Sequence, residues 1–140
     1  MVRNGTHQRG FTLVELMLVI SILGLIAAIA VPSFNGYLRA NQVDTTADRI
    51  TSDLALARSL SVSQGRVVRF VGTAAGYQII DPITFQVIRD RTFEGTVALA
   101  ADVSVNFFPW GAAEATTMNI GNGSENRAVV VLPTGIAEVH

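Results

Sequence analysis

The sequence predicts an α+β fold in which a long N-terminal helix, membrane-spanning in its first half and amphipathic in its second, packs on an antiparallel β-sheet. Three observations predict it. Residues 11–31 form an almost unbroken apolar run. Val43, Ala47, Ile50, Leu54 and Ala57 then recur at steps of four and three, the spacing of one helix face. After Gly65 the pattern changes to short runs rich in Val, Ile, Phe and Thr, broken by turn residues. At 140 residues there is room for one folded domain plus one extended element, not for two sizeable cores. The divisions that follow are a leader at 1–10, a membrane or filament-core helix at 11–31, an amphipathic helix at 32–64 and a β-rich domain at 65–140.

The leader, MVRNGTHQRG, is polar and carries Arg3 and Arg9, which the positive-inside tendency keeps cytoplasmic. The run that follows, FTLVELMLVISILGLIAAIAV, reaches about 30 Å as a helix, the thickness of a bilayer core. Its one charge is Glu15. A carboxylate inside an apolar membrane helix costs about 2.5–3.5 kcal/mol on insertion scales and marks function. Cleavage between Gly10 and Phe11 would create an α-amino group one helical turn from Glu15, or near the Glu15 of a neighbouring chain, and so give the carboxylate a positive partner.

These residues, Gly10-Phe11-Thr12-Leu13-Val14-Glu15, resemble the signature of the type IV prepilin and pseudopilin family, a glycine and phenylalanine followed by Thr-Leu-Xaa-Glu at the head of a hydrophobic helix. The resemblance implies a pilin-like fold, cutting after Gly10 by a prepilin peptidase, N-methylation of Phe11, and docking of Glu15 during filament assembly. It also implies an inner-membrane location with a single pass, a periplasmic C-terminal domain, contact with an assembly platform, and other pilins or pseudopilins as partners through the N-terminal helix. A secretory signal peptide is the alternative reading, since Ala28-Ile29-Ala30 has the small-x-small form. Glu15 within the apolar stretch, the length of that stretch and Pro32 just beyond it all oppose that alternative.

Pro32 has no amide hydrogen to give the Ala28 carbonyl, so a helix through it bends or loosens, and Gly24 weakens the same stretch. In the resembled family the matching segment unwinds when subunits pack. Beyond it, the stripe from Val43 to Ala57 lies apart from Asp44, Asp48, Arg49, Asp53 and Arg58, which fall mainly on other faces. The helix is expected to run from about Ser33 to Ser63 and to end at Gly65, a left-handed cap.

Strands are expected at 66–71, 77–80, 84–89, 97–99, 103–108, 116–120, 127–132 and 136–139. Turn chemistry separates them at Gly72 to Gly76, Asp81-Pro82, Glu94-Gly95, Gly121-Asn122-Gly123 and Pro133-Thr134-Gly135. Short turns imply antiparallel pairing. This half of the chain, through Ala57-Arg58, Arg66-Val67-Val68, the run from Val105 to Gly111 and Arg127 to Val131 with Pro133-Thr134-Gly135, is similar to the pseudopilin H and FimT group of minor subunits. That likeness implies a structural subunit of a type II secretion pseudopilus. The alternatives are a minor pilin of a type IV pilus and a DNA-binding tip pilin for natural transformation. Residues 136–140 lack the basic side chains expected of the last.

Several classes are disfavoured. All ten basic residues are arginines and the net charge is −1, so no nucleic-acid surface is indicated. Cysteine is absent, which removes disulfides and thiolate metal sites. His140 is the one histidine left after the expected cut, so neither a catalytic triad nor a metal or cofactor site is expected, and the chain is not read as an enzyme. Asn119, Asn122, Ser124 and Glu125 surround a Gly-rich turn without matching a calcium loop and are read as a polar hairpin. Trp110, beside Phe107, Phe108 and Pro109, is read as core before partner-docking surface. Arg89 and Arg91 project the same way along a strand near Asp90 and Glu94, and are read as a solvated face before a phosphate site.

Overall fold

The computed structural model describes residues 11–140, apart from the side chains of residues 32, 33 and 35. One α-helix, α1 (Leu13–Gln64), precedes eight strands: β1 (Val68–Thr73), β2 (Gly76–Ile80), β3 (Val87–Thr92), β4 (Ala98–Leu99), β5 (Val103–Phe107), β6 (Thr116–Gly121), β7 (Asn126–Val131) and β8 (Ala137–Val139). The chain divides into two compact units, Met1–Tyr37 and Leu38–His140.

In the second unit α1 ends where the sequence places its cap. Gly65 takes φ +63°, which costs glycine nothing, and the Arg66 N–H donates to the Ser61 carbonyl at 3.2 Å, closing the last turn. The expected stripe is wholly buried: Val43, Ala47, Ile50, Leu54 and Ala57 join Phe70, Ile79, Val105, Phe107, Ile120, Val129 and Val131 in one hydrophobic cluster. The strands supply their share by alternation, with Val68, Phe70 and Gly72 inward from β1, and Met118 and Ile120 inward from β6.

The single expected sheet is two antiparallel four-stranded sheets, ordered β3-β2-β1-β5 and β4-β6-β7-β8. Local hydrogen bonds stop the first at β5. The outward N–H of Asn106 donates to Glu114 Oε2 at 3.0 Å, its carbonyl accepts from Glu114 N–H at 3.1 Å, and Phe108 N–H donates to Ala112 O at 2.9 Å. The loop after β5 thereby occupies the edge on which β6 would have paired. The two sheets meet at Gly72, where a Cβ would fall 2.6 Å from Leu99 Cδ1 and 2.9 Å from Val103 Cγ1. A side chain at that position would have to displace the ends of the Leu99 and Val103 side chains.

Two strand starts move by two or more residues. The first, expected at Arg66, begins at Val68 because Gly65 and Arg66 complete the helix cap. The third, expected at Thr84, begins at Val87. Asp81 Oδ1 accepts the N–H groups of Ile83 (2.8 Å) and Thr84 (3.2 Å), and Phe85 takes φ +57°, so residues 81–86 form a turn despite the β propensity of Ile83, Thr84 and Phe85. Asp81 is buried and paired with Arg66. The two backbone N–H groups, with a smaller contribution from Arg66, hold its carboxyl below the usual aspartate value.

Candidate functional site

Within the first unit every large apolar side chain of residues 11–31 is exposed, from Phe11 at 79 % to Val31 at 58 %. Among the described residues α1 is the one helix long and apolar enough to cross a membrane, by length and composition. An apolar surface of this extent needs a bilayer or other protein to cover it.

The sequence-derived site residues fall at the head of this surface. Gly10 lies outside the described residues. Phe11 is exposed, and the helix begins at Leu13. Thr12 and Glu15 close a reciprocal capping box: Glu15 N–H donates to Thr12 Oγ1 at 3.2 Å, and Glu15 Oε2 accepts from Thr12 N–H at 3.4 Å. Sequence reasoning missed this partner of Glu15, although Thr-x-x-Glu before an apolar run is its recognisable sign. The geometry turns the carboxylate back toward Thr12, ahead of the first helical turn. Gly24 and Pro32 both lie within α1, and a Cβ on Gly24 would meet nothing within 4 Å.

The other candidates belong to the second unit. Arg89 and Arg91 are partly solvated, as expected, and are also ion-paired: both reach Asp53 on α1, at 3.0 and 3.5 Å. Tyr77 Oη donates to the same carboxylate at 2.7 Å. Asp53 is buried, contrary to its expected place on a polar face, because it stands three residues after Ile50 and four before Ala57 and so lies along the buried stripe. Burial first, and the bond to Asp53 second, push the Tyr77 phenol above its ordinary value. The carboxylate ties α1 to β2 and β3. Asp53→Ala should lower stability by about 2–3 kcal/mol, less than for a fully buried pair because both arginines are partly solvated. Tyr77→Phe should cost about 1 kcal/mol. Urea denaturation compares them, and equal losses would show that the arginines contribute nothing through Asp53.

Trp110 is not core. It is 74 % exposed and stacked on Phe108 with centroids 4.9 Å apart, whereas Phe107 alone of that cluster is fully buried. In the 121–125 turn, Asn122 Oδ1 accepts the N–H groups of Ser124 (3.1 Å) and Glu125 (3.0 Å), and its Nδ2 donates to the Arg39 carbonyl at 2.9 Å. That side chain is thus committed to closing the hairpin and holding it to α1.

Comparison with known proteins adds three findings. Residues 46–135 match the family described as type II transport protein GspH, and residues 5–31 match the prokaryotic N-terminal methylation motif. A fimbrial protein of Pseudomonas aeruginosa is 36% identical over 61 residues, covering 44% of this chain and 39% of its own. The type IV major fimbrial protein FimA of Dichelobacter nodosus is 53% identical over 36 residues, covering 26% and 22%. The chain thus spans well under half the length of these relatives. Among solved structures, the type IV minor pilin FimU of Pseudomonas aeruginosa superposes with a TM-score of 0.60 at 19% identity, over 71% of this chain and 89% of that one, which is a likeness of fold.

Proposed function

The chain belongs to the type IV pilin and pseudopilin family, within the group described as type II transport protein GspH, and from that premise we propose that it is a minor pseudopilin of a type II secretion system. The observation that carries this reading is the GspH match, which runs from α1 at residue 46 to residue 135, through nearly all of the β-rich domain. In this reading the first half of α1 holds the chain in the inner membrane by a single pass, with the second unit in the periplasm. Prepilin peptidase cuts after Gly10 and methylates Phe11, and the exposed apolar side chains of residues 11–31 then pass from lipid to the helices of neighbouring pseudopilins on the assembly platform. The role is that of a piston component, without catalysis.

A type IV pilus minor pilin is the second reading, favoured by the fimbrial relatives and the FimU fold. A DNA-binding tip role has less support, because Arg49, Arg66, Arg89, Arg91 and Arg127 each lie within 4.0 Å of a carboxylate. A clean deletion separates the two machines. Loss of secreted enzymes from the culture medium with twitching and surface pili intact supports the pseudopilin, and the reverse pattern supports the pilus.

Processing is tested separately. Intact mass of the membrane-extracted protein should correspond to a start at a methylated Phe11. A start at Val31 would establish a signal peptide, and a start at Met1 an uncut anchor.

A further inference from the structure

The second sheet ends at β8, whose free side opens onto a groove of about 600 Å³ against α1. Even-numbered residues along this segment bond to β7 and the turn before it: Leu132 N–H donates to Ile136 O at 2.8 Å, and Ala128 and His140 exchange bonds of 2.9 and 2.8 Å. In an antiparallel ladder the intervening residues, Ala137 and Val139, direct their N–H and C=O groups away from β7. No backbone partner meets them among the described residues. Such an edge is a template for another extended chain.

The groove also carries a charge. Arg58 lies in it and spends Nε on the Gly111 carbonyl at 2.9 Å, yet among the described residues no carboxylate pairs with its guanidinium, unlike the five arginines named above. Val62 and Ile136, each about half exposed, supply apolar walls.

We propose that this groove receives an extended segment of a partner protein, which adds a strand to β8 and sets an acidic side chain on Arg58. A helix could not satisfy the outward groups of Ala137 and Val139, and a free anion would use Arg58 alone. The surface is separate from the apolar half of α1 and does not depend on which machine the chain serves.

The test uses the full chain in detergent micelles and a panel of capped five-residue peptides, alternating valine and threonine around a central glutamate. Binding should slow hydrogen exchange at the Ala137 and Val139 amides at least tenfold. Replacing the peptide glutamate by glutamine, or Arg58→Gln in the protein, should weaken binding tenfold or more. Val139→Pro removes one outward N–H and leaves the β7 pairing untouched, since edge strands tolerate proline on their free side. It should keep the native spectrum and weaken binding to the same degree. Failure of every peptide to bind at about 1 mM, equal affinity for Val139→Pro, or self-association of the chain through β8 in place of peptide capture would each overturn the proposal.

Discussion

Replacing Phe107 by alanine is expected to cost about 3–5 kcal/mol, near the upper end for a single core truncation. The ring is fully buried at the end of β5, the edge strand of the first sheet, and belongs to the cluster that both sheets share. Its backbone also bridges to Ala113, the residue from which the chain leaves toward the second sheet. Truncation therefore opens a cavity where the sheets come together, and neither sheet can relax inward without displacing the other. For a unit of this size about 3 kcal/mol corresponds to a fall in Tm of about 12 °C or more. Phe85→Ala is the matched control. That ring is 73 % exposed at the tip of the 81–86 turn, and its loss should change stability by less than about 0.5 kcal/mol. Thermal melts of the two variants should differ widely, and similar melts would mean that Phe107 does not hold the sheets together.

Glu15→Leu is expected to insert and to be cut normally, yet to enter filaments at least tenfold less well than the parent. Insertion loses a costly charge, and Gly10 and Phe11 are unchanged. In a filament the Phe11 amine would stand in an apolar bundle, where an unpaired buried charge costs several kcal/mol, and about 1.4 kcal/mol is already tenfold. The bonds between Glu15 and Thr12 bring in a second role, since leucine also removes the helix cap. Glu15→Gln separates the two, because an amide can close the same capping box without a charge. Cross-linked filaments from cells expressing each variant report incorporation. If Glu15→Gln assembles like the parent while Glu15→Leu does not, capping is the function of this residue; if both assemble, neither role is needed.

The elements were legible where the chain decides locally. The step of four and three fixed the helix stripe, Gly65 its end, and turn residues the number of strands. What failed depended on contacts distant in sequence. A β propensity at Thr84 and Phe85 was overridden by the carboxylate of Asp81, itself buried and paired with Arg66. The division into two sheets rests on Glu114 imitating a strand beside Asn106, which no periodicity reveals. By residue type Asp53 reads as a solvated charge, whereas its helical position, three past Ile50, places it on the buried stripe. At the candidate site the position of Glu15 is legible, and its neutral partner Thr12 is signalled only by the Thr-x-x-Glu spacing.

The buried stripe of α1 also decides how the second unit would respond to force. Val43, Ala47, Ile50, Leu54 and Ala57 interdigitate with the sheets along one face, and Asp53 adds Tyr77 and two arginines at the middle of the same stretch. A pull along the helix axis acts on these contacts in shear, so they share the load, whereas a pull across the axis would peel them away one turn at a time. Survival under axial tension is then set by the unfolding rate of the whole unit rather than by its weakest contact. A subunit carried lengthwise by its helix would keep its fold through a stroke that is short compared with that lifetime.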